Sequence, residues 1–155
     1  MKKDLRQTFA LGAALFALAL TTGAAALSTS APKQTKITVY KDPSCGCCKN
    51  WIAHLVKHGY TVDAKDTPAM TEVKRTLGVP EPLTACHTAV INGYLIEGHV
   101  PAADIAKLLQ QKPKVAGLAV PGMPMGSPGM EGGQRQHYQV LSFDKNGKTK
   151  VFASY

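Results

Sequence analysis

Residues 36–59 read KITVYKDPSCGCCKNWIAHLVKHG, and this stretch decides the fold of the chain. Its first five residues are rich in β-branched and aromatic side chains, which predicts a strand over residues 36–40. Asp42-Pro43-Ser44 ends that strand. From Cys47 to His58, apolar residues recur at helical spacing, and Gly59 ends the helix. The turn between strand and helix therefore carries three cysteines: Cys45, Cys47 and Cys48.

The chain downstream continues to alternate between strands and helices. Residues 60–64 predict a second strand, and residues 68–78 a second helix whose apolar face carries Met70, Val73 and Leu77. Residues 79–83 contain two prolines and predict a loop. Residues 88–91 and 94–98 flank Asn92-Gly93, which suits a two-residue hairpin turn. Residues 101–111 predict a third helix with Ile105, Leu108 and Leu109 facing inward.

The predicted order β-α-β-α-β-β-α indicates an α/β fold with a mixed sheet flanked by helices. A strand–turn–helix unit with Cys-x-x-Cys at the turn is the thioredoxin arrangement. We therefore expect residues 36–155 to form a single thioredoxin-like domain. A loop rich in Gly, Pro and Met over residues 121–133, and a second hairpin over residues 138–143 and 149–155, are C-terminal additions to that fold.

The N-terminal segment has the layout of a secretory signal peptide. Lys2, Lys3 and Arg6 precede an apolar run over residues 9–20, and small residues follow at 24–26. We expect residues 1–26 to be removed, residues 27–35 to form a flexible leader, and the protein to be periplasmic. Contact with a membrane would then occur only through an uncleaved signal segment.

The net charge of +8 does not indicate a nucleic-acid-binding protein. Nucleic-acid binding requires basic residues clustered on one face, whereas the lysines here are scattered along the chain. We interpret the charge as a solvated surface.

A fourth cysteine, Cys86, lies well downstream and is followed by His87. The hairpin with Ile91-Asn92-Gly93 and Glu97-Gly98 is similar to the glutaredoxin pattern, in which a proline faces the redox pair. In that alignment His87 falls on the proline position, so Cys86 and His87 are expected near Cys45 and Cys48. The missing proline argues against ordinary thiol–disulfide exchange.

Converging thiolates suit a soft metal such as Cu(I), Zn(II) or an iron–sulfur cluster. Zinc would take four tetrahedral ligands, which Cys45, Cys48, Cys86 and His87 can supply. Thioethers from Met123, Met125 and Met130 favour Cu(I), although the same methionines are also suited to filling space in a loop that packs on the core. Disulfides are a further alternative, with a Cys45–Cys48 pair that leaves Cys47 and Cys86 free or joined to each other.

Three blocks of sequence resemble the bacterial copper-resistance family CopG, also described as DUF411. They are Asp-Pro-Ser-Cys-Gly-Cys-Cys-Lys-Asn-Trp at 42–51, Cys-His-Thr at 86–88, and Gly-Met-Pro with Gly-Ser-Pro-Gly-Met-Glu at 122–131. The resemblance covers residues 36–155. It implies a thioredoxin-like periplasmic protein in which Cys45, Cys47, Cys48 and Cys86 hold a copper cluster, and a redox role toward copper.

The histidines and the tryptophan allow simpler interpretations. His87 adjoins a ligand cysteine and is expected either to bind the metal or to support the cysteines that do. His54 and His58 are four residues apart beside the polar face of the first helix and are expected to be solvent-exposed. His99 and His137 are isolated, and we expect both at the surface. Trp51 is expected to anchor the first helix in the core.

The leading hypothesis is a periplasmic protein that binds Cu(I), as a multinuclear thiolate cluster, in copper resistance or homeostasis. Its partners would be copper ions and other periplasmic copper-handling proteins, and it would carry electrons to or from copper if it turns over. The alternative is a thiol–disulfide oxidoreductase with Cys45 as the attacking thiolate and Cys48 as the resolving one. A third hypothesis is a small domain with disulfides or structural zinc.

Overall fold

The structure, a computed structural model, describes residues 35–155. The predicted signal peptide and all but the last residue of the predicted leader lie outside the described residues. Within 35–155, no helix is both long enough and apolar enough to cross a bilayer. The strands are β1 Lys36–Lys41, β2 Thr61–Asp66, β3 His87–Ile91, β4 Tyr94–Gly98, β5 Gly117–Val120, β6 Gln139–Phe143 and β7 Thr149–Ser154. The helices are α1 Gly46–Lys57, α2 Met70–Leu77 and α3 Ala102–Gln111, with a 3₁₀ turn at Glu81–Leu83.

The seven strands form one mixed sheet in the order β2-β1-β3-β4-β5-β6-β7. The pairs β1–β2 and β4–β5 are parallel, and the other neighbouring pairs are antiparallel. The prediction of a mixed α/β fold is confirmed, and the arrangement is consistent with the thioredoxin-like fold. β6 and β7 form the predicted second hairpin.

The predicted elements occur in the predicted order, with shifted ends. β2 begins at Thr61 and runs to Asp66, and α2 begins at Met70, two residues after Pro68. Asn92 and Gly93 both have positive φ, 48° and 83°, as a two-residue I′ turn requires. The first hairpin is therefore confirmed together with its turn.

The strand β5 has no counterpart in the sequence prediction. All four of its residues are buried, and β4 and β6 pair with it on either side. A strand buried on both faces does not alternate between apolar and polar residues, so the period-2 signal is missing. β5 joins the C-terminal hairpin to the sheet.

Trp51 anchors α1 in the main core, as predicted. The side chain is fully buried among Ile37, Val39 and other apolar residues of the sheet. Its indole Nε1–H donates to the Val100 carbonyl oxygen at 2.9 Å. Because buried indoles need a hydrogen-bond partner, this bond fixes α1 against the segment between β4 and α3.

Candidate metal centre

The turn between β1 and α1 is shaped by its own side chains. The Asp42 carboxylate accepts hydrogen bonds from the backbone N–H and the hydroxyl of Ser44, at 2.8 and 2.5 Å. Cys45 is the N-cap of α1, and its sulfur accepts from the Cys48 backbone N–H at 3.3 Å. The cysteines thus lie where the helix dipole favours negative charge, which stabilises thiolates.

Cys45 and Cys48 form a disulfide in this structure, with their Cα atoms 5.4 Å apart. Cys47 and Cys86 are free, and both are partly buried. The structure is therefore that of the oxidised chain, in which two of the four sulfurs are available as thiols.

Cys86 lies beside this turn because β3 pairs with β1. The antiparallel register places His87 opposite Lys41, and Cys86 is the residue before His87, just outside the paired region. Its sulfur is 3.8 Å from that of Cys47, which is 3.5 Å from that of Cys45. The sulfurs of all four cysteines lie within 4.8 Å of one another. The expectation that Cys86 approaches the turn is confirmed, and the four form a group able to hold metal.

The Cys86 thiol is held in its protonated form in the absence of metal. Burial and the neighbouring Cys47 raise the pKa of Cys86 to about 12. A metal that binds the thiolate must displace this proton, so metal affinity will rise with pH.

Two buried histidines that contact each other lie beside Cys86. His87 Nδ1 lies 3.3 Å and His99 Nε2 lies 3.1 Å from the Cys86 sulfur. Both side chains are fully buried, and burial holds the pKa of each ring below its usual value. The prediction that His99 is a surface residue is wrong. When the β3–β4 register is continued beyond the Thr88–Glu97 pair, Cys86 lies opposite His99. The two-residue turn in the sequence fixes this register, so it was the signal that could have placed His99 beside Cys86.

A buried ion pair supports the segment before β3. Lys74 Nζ contacts Glu97 Oε1 at 2.5 Å and the Thr88 hydroxyl at 2.8 Å. The same carboxylate accepts the Ala85 backbone N–H at 2.7 Å, one residue before Cys86. Burial raises the pKa of Glu97, and Lys74 opposes that shift. This network was not predicted, although the charged Glu97 in an otherwise apolar strand pointed to a buried partner.

The Gly/Pro/Met-rich loop is tied to the cysteine turn at two points. The Pro128 carbonyl oxygen is 2.7 Å from His99 Nδ1. Gly129 lies so close to α1 that an added β-carbon would be 2.8 Å from the backbone oxygen of Cys47 and the backbone nitrogen of Trp51. Met125 and Met130 are half-buried and Met123 is 50% exposed. The loop therefore packs beside the site, and Met123 faces solvent.

The remaining histidines lie apart from the cysteines. His58 and His137 are exposed, as predicted. His54 is half-buried, contrary to prediction, because its Nε2 accepts the Ala102 backbone N–H at 3.1 Å at the start of α3. None of the three belongs to a group of possible metal ligands among residues 35–155.

A pocket of about 600 Å³ opens beside Cys86, between α2 and the segment that precedes β3. Its lining includes Met70, Lys74, Arg75, Thr84 and Cys86 itself. Cys86 is thus reachable from this pocket.

Comparison with known proteins agrees with this geometry. The family described as "Protein of unknown function, DUF411" matches residues 83–130, a span that contains Cys86, His87, His99 and the three loop methionines. Two solved structures, each named as the copper resistance protein CopG, forms 2 and 1, are 48% identical to the chain. The alignments span 79% of this chain and 99% and 98% of the two solved chains, with TM-scores of 0.76 and 0.75. No curated protein matches the chain.

Proposed function

The chain belongs to the CopG (DUF411) family, and we propose that it is a periplasmic protein that binds Cu(I) in copper resistance or homeostasis. The metal is held by thiolates of Cys45, Cys47, Cys48 and Cys86, as a cluster of several ions. The observation that carries this proposal is the convergence of the four sulfurs within 4.8 Å. The name of the similar structures, copper resistance protein CopG, supports copper as the metal.

Copper(I) suits this donor set better than zinc. Cu(I) is soft and favours thiolate and thioether sulfur, and a thiolate can bridge two Cu(I) ions. Structural zinc takes one closed tetrahedral set, whereas Cys47 and Cys48 are adjacent in sequence and carry their sulfurs on one helical turn. Bridging between several copper ions uses such neighbours without requiring a single tetrahedron.

The Cys45–Cys48 disulfide links copper loading to redox state. With the disulfide closed, only Cys47 and Cys86 remain as thiols, so the full cluster forms in the reduced chain. The reduced pair is also a two-electron donor. Two Cu(II) ions take one electron each, the Cys45–Cys48 bond forms, and two protons leave. The products are two Cu(I) ions beside the remaining thiols. Redox activity toward copper follows from this chemistry.

In this proposal the methionines of the loop bind incoming Cu(I) first. Met123 is 50% exposed, so its thioether is open to incoming Cu(I). Met125 and Met130 lie on the same loop, which is tied to the site through Pro128 and Gly129. Uncharged thioethers bind Cu(I) more weakly than thiolates, so the ion passes inward to the cysteines.

The test is reconstitution of the reduced protein under anaerobic conditions with copper and zinc both offered. We expect more than one copper per chain, and loss of most of it in Cys45→Ser, Cys47→Ser, Cys48→Ser and Cys86→Ser alike. Lys49→Ser, at an exposed position of the same turn, is the control. A single zinc ion, or a chain without copper, would contradict the proposal. If removing zinc also unfolded the protein, structural zinc would be its role.

A second candidate, a thiol–disulfide oxidoreductase, is favoured by the Cys45–Cys48 disulfide at the N-terminus of α1. The two functions make opposite predictions for Cys47→Ser. An exchange enzyme keeps its disulfide reductase activity in this variant, since Cys45 and Cys48 are intact. A cluster protein loses copper in it. Insulin reduction and metal content, measured on the same preparation, separate the two.

A further inference from the structure

Cys86 belongs to two groups of ligand atoms. One consists of the four cysteine sulfurs. The other consists of Cys86, His87 and His99, whose ligand atoms also lie within 4.8 Å of one another. The second group contains neither cysteine of the disulfide, so it is complete while Cys45 and Cys48 are bonded.

His99 is oriented as a ligand histidine. Its Nδ1 lies 2.7 Å from the Pro128 carbonyl oxygen, which can only accept a hydrogen bond, so Nδ1 carries the proton. In a neutral imidazole the other nitrogen then holds a free lone pair. That nitrogen, Nε2, lies 3.1 Å from the Cys86 sulfur. A backbone carbonyl that fixes the tautomer in this way is the usual support of a metal-bound histidine.

His87 completes the group from beside His99, with the two ring centroids 5.0 Å apart. Its Nδ1 is 3.3 Å from the Cys86 sulfur, and its ring packs against Trp51 with centroids 4.3 Å apart. Its Nε2 is buried and has no hydrogen-bond partner among residues 35–155. A buried nitrogen without a hydrogen-bond partner destabilises the metal-free fold. A neutral ring that binds metal through Nδ1 carries its proton on Nε2, so the nitrogen beside the Cys86 sulfur is the one available as a ligand.

We propose that Cys86, His87 and His99 form a second copper position that shares the Cys86 sulfur with the four-cysteine cluster and remains available when Cys45 and Cys48 are disulfide-bonded. The choice of copper rests on the proposed function. One thiolate and two imidazoles suit a single copper ion, and the free thiol of Cys47, 3.8 Å from Cys86, is a further sulfur within reach. The oxidised chain therefore keeps one copper ion.

The test uses the full mature chain with the double substitution Cys45→Ser/Cys48→Ser, which removes the cluster and leaves this group intact. Copper(I) is added anaerobically, excess is removed with a chelating resin, and copper is measured per chain. We expect about one ion per chain, bound through sulfur and imidazole. Copper K-edge X-ray absorption should show the outer-shell scattering of imidazole beside copper–sulfur bonds.

Histidine substitutions in the same background assign the ligand. His99→Ala should lower the retained copper at least tenfold and weaken the imidazole scattering of any ion that remains, since only His87 is left. His99→Gln repeats the test with a side chain that can still donate to Pro128. His137→Ala, at an exposed ring, is the matched control and should retain the ion. Thermal unfolding of each variant confirms that the comparison is between folded proteins.

The outcomes separate this proposal from the proposed function. If the reduced native chain binds several copper ions while the double variant binds none, or binds copper through sulfur alone, the second position is wrong and the cluster stands. If the double variant binds its ion and the reduced native chain binds no more than that, the cluster is wrong and the second position stands. The X-ray absorption measurement on the double variant detects imidazole ligands without any histidine substitution. It therefore decides the question even if a His99 variant fails to fold.

Discussion

Gly129 lies against the backbone of Trp51 without room for a side chain between them. A β-carbon at Gly129 would be 2.8 Å from the Trp51 nitrogen, and Gly129 itself has φ of +87°. This contact holds the Gly/Pro/Met-rich loop against the first turns of α1, beside the cysteines.

Gly129→Ala should detach the loop from α1. The positive φ and the collision together should cost about 2–5 kcal/mol, which weakens the contact of the loop with α1. Trypsin should then cleave after the exposed Arg135 faster than in the native protein, as followed by mass spectrometry. Gly122→Ala is the control, because it has φ of +72° but open space around the added carbon. Equal cleavage of the two variants would mean that Gly129 does not hold the loop.

Lys74→Met should destabilise the folded protein by about 3–5 kcal/mol, because it leaves the buried Glu97 carboxylate without its cation. Urea unfolding at neutral pH measures this loss. The double variant Lys74→Met/Glu97→Gln should recover most of it, since the substituted amide is uncharged and can still accept the Ala85 N–H. A double variant no more stable than Lys74→Met would show that the ion pair is not the source of the effect.

Oxidised protein should take up fewer copper ions than reduced protein. The disulfide removes two of the four thiolates, so the cluster cannot form until it is reduced. Copper per chain, measured before and after anaerobic treatment with a reductant that is then removed, checks this. Alkylating Cys47 and Cys86 in the oxidised chain should abolish what copper it does bind. Equal uptake by oxidised and reduced chains would contradict a cluster that uses Cys45 and Cys48.

The stability of the metal-free protein should depend on His54 below neutral pH. Burial lowers the pKa of His54 from 6.5, and the neutral Nε2 accepts the Ala102 N–H at the start of α3. The folded state therefore binds the proton less readily than the unfolded state. The stabilisation is present above pH 6.5 and is lost as the pH falls through the lowered pKa.

His54→Gln checks this, because glutamine can accept the same N–H and does not titrate. The difference in unfolding free energy between native protein and variant should change by about 0.5–1.5 kcal/mol, the net value of a hydrogen bond, between pH 7.5 and 5. The exposed His137, whose ring contacts the Tyr155 carbonyl oxygen and not His54, is the control as His137→Gln. If the difference in unfolding free energy between native protein and His54→Gln does not vary with pH, His54 is not the source of the pH dependence.

Sequence reasoning predicted the parts of the fold that have local signals. Asp42-Pro43-Ser44 marks the turn that carries the cysteines, and Asn92-Gly93 fixes the first hairpin. Those two features, together with the antiparallel pairing of β1 and β3, are enough to bring Cys86 to Cys47.

The features of the fold and the site that the sequence did not predict depend on tertiary contacts. His99 follows Gly98 with no periodic pattern around it, and only the cross-strand register shows that it faces Cys86. A lysine in a helix is normally interpreted as solvent-exposed. Lys74 instead lies on the buried face of α2, and its ammonium contacts the Glu97 carboxylate. The strand β5 lacks alternation because all four of its residues are buried, whichever face of the sheet they lie on.

The spacing of the four cysteines along the chain also orders their oxidation during folding. Cys45 and Cys48 are separated by three positions, so they meet in an unfolded chain at a small entropic cost. Cys47 and Cys86 are separated by 39, and they approach only after β3 has paired with β1. A reduced, unfolded chain that folds in the presence of an oxidant thus closes the short loop first. Cys86 remains a free thiol, already beside its two histidines, when the sheet is complete.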